Sequence, residues 1–286
     1  MTKIMKTELV KFYASDGLEL QGLLFRSGKN TDKLIIDVFG MTGDFFSMNH
    51  QDFFVKALKN SKFDIFFAGN RGLGVVFRFD KKGSEKSLYF GTAKERFTDC
   101  IHDIKGAINA MRRLGYKNII LQGSSTGCQK ITYYQYKTKD KNVKALILLG
   151  AVDDHNIARK RARKNFSKLV KNAIKLKNKD DLKKEFWGYT AKRFLSYADL
   201  RNAEAQLFNY DSKMTAFSKI TVPILAVFGS KDQHATKPIK EHLRILESKT
   251  NSKKFTSLII KNANHSFEGK EKELSAVVLK WLEGVI

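Results

Sequence analysis

Disulfides and metal clusters are the first things this sequence leaves little room for. It holds only two cysteines, Cys100 and Cys128, both in segments patterned as helices, whereas a disulfide framework or a zinc site needs more ligands at closer spacing. Reduced, packed thiols are expected. Also missing is any apolar run near the ~18 to 20 residues that a membrane-spanning helix requires, and the opening MTKIMKTELV lacks the apolar stretch of a secretory signal. These absences predict a soluble, cytoplasmic chain. There is no internal repeat and no low-complexity linker.

What is present is enough for one large α/β domain with an inserted subdomain: 286 residues, 42% of them hydrophobic. The net charge of +24 admits a nucleic-acid, membrane-surface or anionic-substrate partner. A lysine-rich proteome is the plainer account, because the excess is mostly Lys spread over many segments. The basic residues form no recognisable reading motif, so no specific nucleic-acid partner is expected.

Along the chain, ELVKFYA and LELQGLLF flank Ser15-Asp16-Gly17 and predict an antiparallel pair between Thr7 and Arg26. KLIIDVFG, Lys33 to Gly40, is nearly continuous in apolar residues, as a strand covered on both faces should be. A flexible loop, Gly40 to Asp44, precedes a helix expected over Met48 to Lys59, with Phe53, Phe54, Ala57 and Leu58 at helical spacing. The strand FDIFFAG, Phe63 to Gly69, follows. From Ala93 to Leu114 one stripe carries Phe97, Cys100, Ile104, Ile108 and Met111, which predicts a long helix on a sheet.

KNIILQGSSTGCQKITYY, Lys117 to Tyr134, reads as a strand that stops at Gly-Ser-Ser-Thr-Gly with a helix starting at once. Val143 to Leu149 is another buried strand. Between Ala151 and Leu195 the character changes: 14 Lys and Arg stand against 5 Asp and Glu, and strand-like runs vanish until Val222. Phe166, Leu169, Val170, Ala173 and Ile174 make one amphipathic face there, followed by an aromatic group at Phe186, Trp187, Tyr189, Phe194 and Tyr197. An inserted helical cap over 151–217 is the economical reading, with a core of 1–150 and 218–286. The alternation resumes with PILAVFG (Pro223 to Gly229), a helix holding Ile239, Leu243 and Leu246, the strand FTSLII (Phe255 to Ile260), and a last helix with Leu274, Val278 and Leu282. Strands separated by helices imply a mainly parallel sheet with both faces covered.

Such a sheet gathers its reactive groups at the carboxyl ends of its strands. Ser125 follows NIILQ, Asp232 follows PILAVFG, and His265 follows FTSLII, in the chain order Ser, Asp, His. A serine hydroxyl is a poor nucleophile at neutral pH, so His265 would take its proton and return it to the leaving group. Asp232 would fix the imidazole tautomer. Asp153 and Asp154, after the preceding strand, are alternatives for the acid. His50, His102 and His242 in expected helices, His155 at the start of the insertion, and His234 beside Asp232 are weaker choices for the base.

With these residues in place, the chain resembles an α/β-hydrolase of the serine esterase and lipase type over essentially its whole length. More narrowly, GSSTGCQ, Gly123 to Gln129, is similar to the G-H-S-T-G-C-Q elbow of a branch that includes siderophore esterases, and Arg193-Phe194-Leu195-Ser196 is similar to a run in that branch. Ser124 departs from the His common there. The resemblance implies an eight-stranded sheet with Ser125 on a nucleophile elbow, where Gly123 and Gly127 relieve crowding. It also implies an oxyanion hole from the backbone N–H groups of Met41 and Thr126, with Phe39-Gly40 standing where many lipases have His-Gly.

The function expected is therefore hydrolysis of a small-molecule carboxylic ester through a Ser125 acyl-enzyme, with no metal or organic cofactor. An acyltransferase or thioesterase would use the same triad. A noncatalytic binding protein would keep the fold but has no reason to keep all three residue types at these strand ends. Trp187, Phe194 and Tyr197 either line the substrate pocket or fasten the insertion to the core. The basic residues from Arg159 to Lys184 either form a solvated face or attract an anionic substrate.

Overall fold

The computed structural model describes residues 7–44, 51–59 and 61–286. Among the described residues there are ten strands: β1 (Thr7–Tyr13), β2 (Glu19–Phe25), β3 (Lys33–Val38), β4 (Asp64–Ala68), β5 (Phe77–Phe79), β6 (Leu88–Phe90), β7 (Asn118–Ser124), β8 (Val143–Leu149), β9 (Ile224–Gly229) and β10 (Phe255–Ile260). Eight of them form one sheet in the order β1-β2-β4-β3-β7-β8-β9-β10. The β1-β2 and β2-β4 pairs are antiparallel, and every other pair is parallel. The fold class expected from sequence, a mainly parallel eight-stranded sheet, is borne out.

Why the central strands read as unbroken apolar runs is plain from their packing. Along β3, Leu34 and Ile36 enter one core while Ile35 enters the other; along β7, Ile119 and Leu121 take the first side and Ile120 the second. Successive side chains alternate between faces, so a strand buried on both needs apolar residues at every position. One face is closed by Ile104, Ile108 and Met111 of α2 (Cys100–Arg113), Ile131 and Tyr134 of α3 (Thr126–Thr138), and Leu243 and Leu246 of α9 (Ile239–Lys249). Phe54 and Leu58 of α1 (Gln51–Leu58) and Leu274, Val278 and Leu282 of α10 (Glu271–Glu283) close the other.

Between β8 and β9 the chain is helical: α4 (Asp154–Ala162), α5 (Phe166–Leu176), α6 (Ala191–Ala198), α7 (Ala203–Leu207) and α8 (Thr215–Ser218). This segment has an apolar cluster of its own around Ala158, Ala173, Phe186 and Phe194, against which Met41 of the core packs. A buried ionic chain fastens it down. Arg193 pairs with both oxygens of Glu204, the second at 2.9 Å, and its Nε donates to Thr92 O at 3.1 Å. Its Nη2 lies 3.5 Å from Glu95, which meets Lys130 Nζ at 2.9 Å. Ser196 Oγ donates to Glu204 at 2.6 Å, so the Arg-Phe-Leu-Ser run supplies both donors to one carboxylate.

One local expectation differs from the structure. The helix expected from Ala93 begins only at Cys100, after a short 3-10 turn over Phe97–Asp99. The residues before it are held elsewhere, with Ala93 N bonded to Val75 O and Thr190 N to Ala93 O. The small β5-β6 hairpin carries no sequence pattern, since three-residue strands are shorter than any alternation that could announce them. The start of the helix at Met48, and His50 with it, lie outside the described residues.

Candidate active site

Ser125 occupies the turn between β7 and α3 with φ 53° and ψ −127°, a region sparsely populated by non-glycine residues. The turn is held by two backbone bonds, Ser125 N to Leu149 O and Cys128 N to Ser125 O, both 2.9 Å. Its glycines are required by close approach. A Cβ on Gly123 would lie 2.5 Å from the carbonyl of Gly127, and one on Gly127 would lie 2.0 Å from Val38 O. The rest of the motif is also explained: the buried Cys128 thiol points to Gly123 O at 3.1 Å, and Gln129 Nε2 donates to Val152 O at 3.0 Å and to Asp154 at 2.6 Å. Burial pushes the thiols of both Cys100 and Cys128 up, so neither is a ready nucleophile.

Asp232 and His265 come together across the ends of β9 and β10. His265 Nδ1 lies 2.9 Å from Asp232 Oδ2, and the backbone N–H of His234 donates to the other oxygen at 2.9 Å. Burial works to raise the Asp232 carboxyl, but the bond from His265 and its charge hold it below the usual carboxylate value. Ser125 and His265 line one cavity of about 580 Å³, together with the Gly40–Gly43 loop, Thr126, Asp154, Ile157 and His234.

The alternative acids are engaged elsewhere. Asp153 is the N-cap of α4, accepting from Asn156 N at 2.9 Å and Asn156 Nδ2 at 2.8 Å, and it also accepts from Tyr210 N at 3.2 Å. Asp154 lines the cavity but is bound to Gln129, and its burial, with Glu204 near, pushes its carboxyl well up. His265 takes Asp232 as its partner.

Met41 and Thr126 flank the same cavity. Thr126 is the first residue of α3, so its N–H has no acceptor within the helix. A Cβ on Gly40 would lie 3.0 Å from both Thr126 N and Ser125 Cβ, so only glycine lets the Met41 loop come this close to the elbow. Thr92 pins that loop: its Oγ1 accepts from Thr42 N at 2.6 Å and donates to Gly72 O at 2.9 Å.

The aromatic trio expected as pocket lining does not line this cavity. Phe194 and Tyr197 are buried, and Trp187 packs on both, with ring centroids 5.4 and 6.4 Å away. Their ring contacts are with one another inside the helical segment, which is neither of the two readings the sequence left open.

Sequence reasoning missed Gly150 and gave His234 and Ser124 no part in the site. Gly150, at φ +63°, sits under the His265-Asp232 pair, where a Cβ would meet His265 Cε1 at 3.0 Å. Its only signal was a glycine directly after a strand. The His234 ring stands edge-on to His265 with centroids 4.6 Å apart. Ser124 Oγ, also at the cavity, has no hydrogen-bond partner among the described residues. No group of three His, Cys, Asp or Glu side chains able to hold a metal occurs among the described residues, nor any helix long and apolar enough to cross a membrane.

This architecture, with a serine elbow after the central β7, is that of the α/β-hydrolase fold. The chain belongs to the family described as "Protein of unknown function (DUF1749)", whose model matches residues 89–283. No curated protein matches the sequence. Among solved structures it is similar to Est1E from Butyrivibrio proteoclasticus, solved with ferulic acid bound (TM-score 0.69, 16% identity, 96% of this chain and 99% of that one). It is also similar to the Pyrococcus furiosus esterase Pf2001 (TM-score 0.61, 15% identity, 98% and 92%) and to carboxylesterase CesB of Bacillus subtilis (TM-score 0.61, 17% identity, 99% and 93%). At such identities the likeness concerns the fold.

Proposed function

We propose that this protein is a serine hydrolase that cleaves a carboxylic ester through an acyl-enzyme on Ser125. The observation that carries the reading is one cavity lined both by a serine on a strained strand-to-helix turn and by a histidine already bonded to a buried carboxylate. That three structural neighbours are esterases by name supports the choice of an ester bond.

The chemistry follows from the bonds present. With Nδ1 of His265 engaged by Asp232, Nε2 is left to take the Ser125 proton as Oγ attacks the ester carbonyl. The N–H groups of Met41 and Thr126 receive the oxyanion, each worth ~3 kcal/mol in the transition state. The leaving alcohol departs with the proton from His265. Water, deprotonated by the same nitrogen, then attacks the acyl carbonyl and releases the acid. Residues 1–150 and 218–286 act as the catalytic core, and 151–217 as a cap over the strand ends.

Hydrolysis of a panel of activated esters by the wild-type protein and by Ser125→Ala tests this. Turnover should fall by about 10⁴-fold or more in the variant; turnover near the wild-type rate would exclude Ser125 as the nucleophile.

A further inference from the structure

The catalytic cavity does not end at Ser125. Ile157 and His234, which line it, also line a second cavity of about 430 Å³; Lys160, Arg163 and Thr236 of that cavity in turn line a third, of about 490 Å³. One continuous groove therefore leaves the reacting centre along α4, between that helix and the 233–237 loop. Asn156, Arg159 and Lys160 lie at i, i+3 and i+4 on one side of α4, and Arg163, just past the end of that helix, lines the same cavity.

Charge in this groove is one-sided. The far cavity is lined by four cations, Arg159, Lys160, Arg163 and Lys237, against the single carboxylate of Asp211. That carboxylate is already spent, accepting from Lys237 Nζ at 2.9 Å and from Asn156 Nδ2 at 2.9 Å. Arg159, Lys160 and Arg163 have no carboxylate within ion-pair distance among the described residues. Lys237 on the facing loop is held by Asp211 and Glu241, so the uncompensated charge of the groove is that of Arg159, Lys160 and Arg163. Arg163 adds an independent sign. It holds φ 50° and ψ −132°, a backbone state glycine would adopt freely and arginine adopts only under strain.

We propose that this groove binds a phosphate group carried by the ester substrate, so that the enzyme acts on small phosphorylated esters. The inference rests on the ester-cleavage reading for its chemistry, though the anion site is defined by its own residues. Two guanidinium forks, of Arg159 and Arg163, match phosphate oxygens in pairs, the Lys160 ammonium adds compact charge, and the Thr236 hydroxyl stands on the facing wall. At ~1.5 Å per residue, the span from Ile157 to Arg163 places the anion roughly 5 to 10 Å beyond the catalytic cavity, the reach of a linker of a few atoms. The phosphate ester itself stays intact.

The test compares two substrates, the butyryl esters of 4-hydroxybutyl phosphate and of 1,4-butanediol, which differ only in the phosphate. The wild-type kcat/KM ratio should favour the phosphorylated ester by about tenfold or more at low salt, and the preference should shrink as salt rises. Arg159→Ala with Arg163→Ala should bring the ratio near one, and Lys160→Glu should reverse it. Binding of butyl phosphate to Ser125→Ala protein, measured by calorimetry, reads the groove without catalysis and should weaken about tenfold or more in the double-arginine background. An unchanged ratio together with unchanged butyl phosphate binding overturns the groove. If neither ester is turned over but butyl phosphate still binds through these arginines, the anion site stands and the ester-cleavage reading falls. Equal displacement by inorganic sulfate would mark a site for free anions and overturn the substrate assignment.

Discussion

Gly150→Ala isolates the packing under the triad histidine. At φ +63° an alanine is strained by about 1 kcal/mol. Its Cβ would also stand 3.0 Å from His265 Cε1 and 3.1 Å from Nδ1, against a comfortable separation of about 3.5 to 4.0 Å. The ring must retreat by roughly half an ångström to one ångström, and a misplacement of that size costs up to about a hundredfold in rate. The expected result is a kcat lowered about 10- to 100-fold on p-nitrophenyl butyrate, with a Tm lower by about 2 to 4 °C. Gly28→Ala supplies the control: its φ is +90° and nothing lies within 4 Å of the added carbon. That variant should lose comparable stability and keep its kcat. Wild-type turnover in Gly150→Ala, or equal loss in both, would refute the placement of His265 at the reacting centre.

Other consequences are as direct. Asp232→Asn should lower kcat by about 10³- to 10⁴-fold, whereas Asp153→Ala, which removes the α4 cap and the acceptor of the Tyr210 N–H, should cost about 1 to 2 kcal/mol of stability and spare kcat, as a denaturant titration beside a rate assay would register. Thr92→Val frees the Thr42 N–H and should reduce kcat about tenfold while KM stays nearly level, since the Met41 donor is then less well fixed. His242 is buried, stacks on Tyr210 at 4.0 Å and accepts from Lys237 N at 3.0 Å, and burial lowers its pKa to about 4. The unfolded chain binds that proton first, near pH 6.5, so stability should fall as pH drops from about 6.5 towards 4, by roughly 2 to 3 kcal/mol. His242→Gln should flatten that dependence in thermal melts; an unaltered slope would show that other groups carry it.

How much of this was legible in the sequence follows from the physics of each part. The strands around the site could be read because burial on both faces forces runs such as LILL and ILAVFG, and the triad candidates stand directly after them. Gly123, Gly127 and Cys128 were readable as a motif, and the structure adds the close contacts that require them. What could not be read was lateral. Nothing local says that Glu95 turns inward to meet Lys130, so that the expected helix starts late, or that Trp187 packs on Tyr197 rather than towards Ser125. His234 could be dismissed on sequence proximity to Asp232, yet the turn after β9 sets its ring against His265 and at the mouth of the basic groove.

The central claim is that Ser125 is an activated nucleophile. Reaction of the folded protein with a fluorophosphonate probe, followed by mapping of the modified peptide by mass spectrometry, tests it most directly. The account predicts one adduct, on Ser125, formed much more slowly in His265→Ala protein. A folded protein that takes no label, or takes it on another residue, would contradict it.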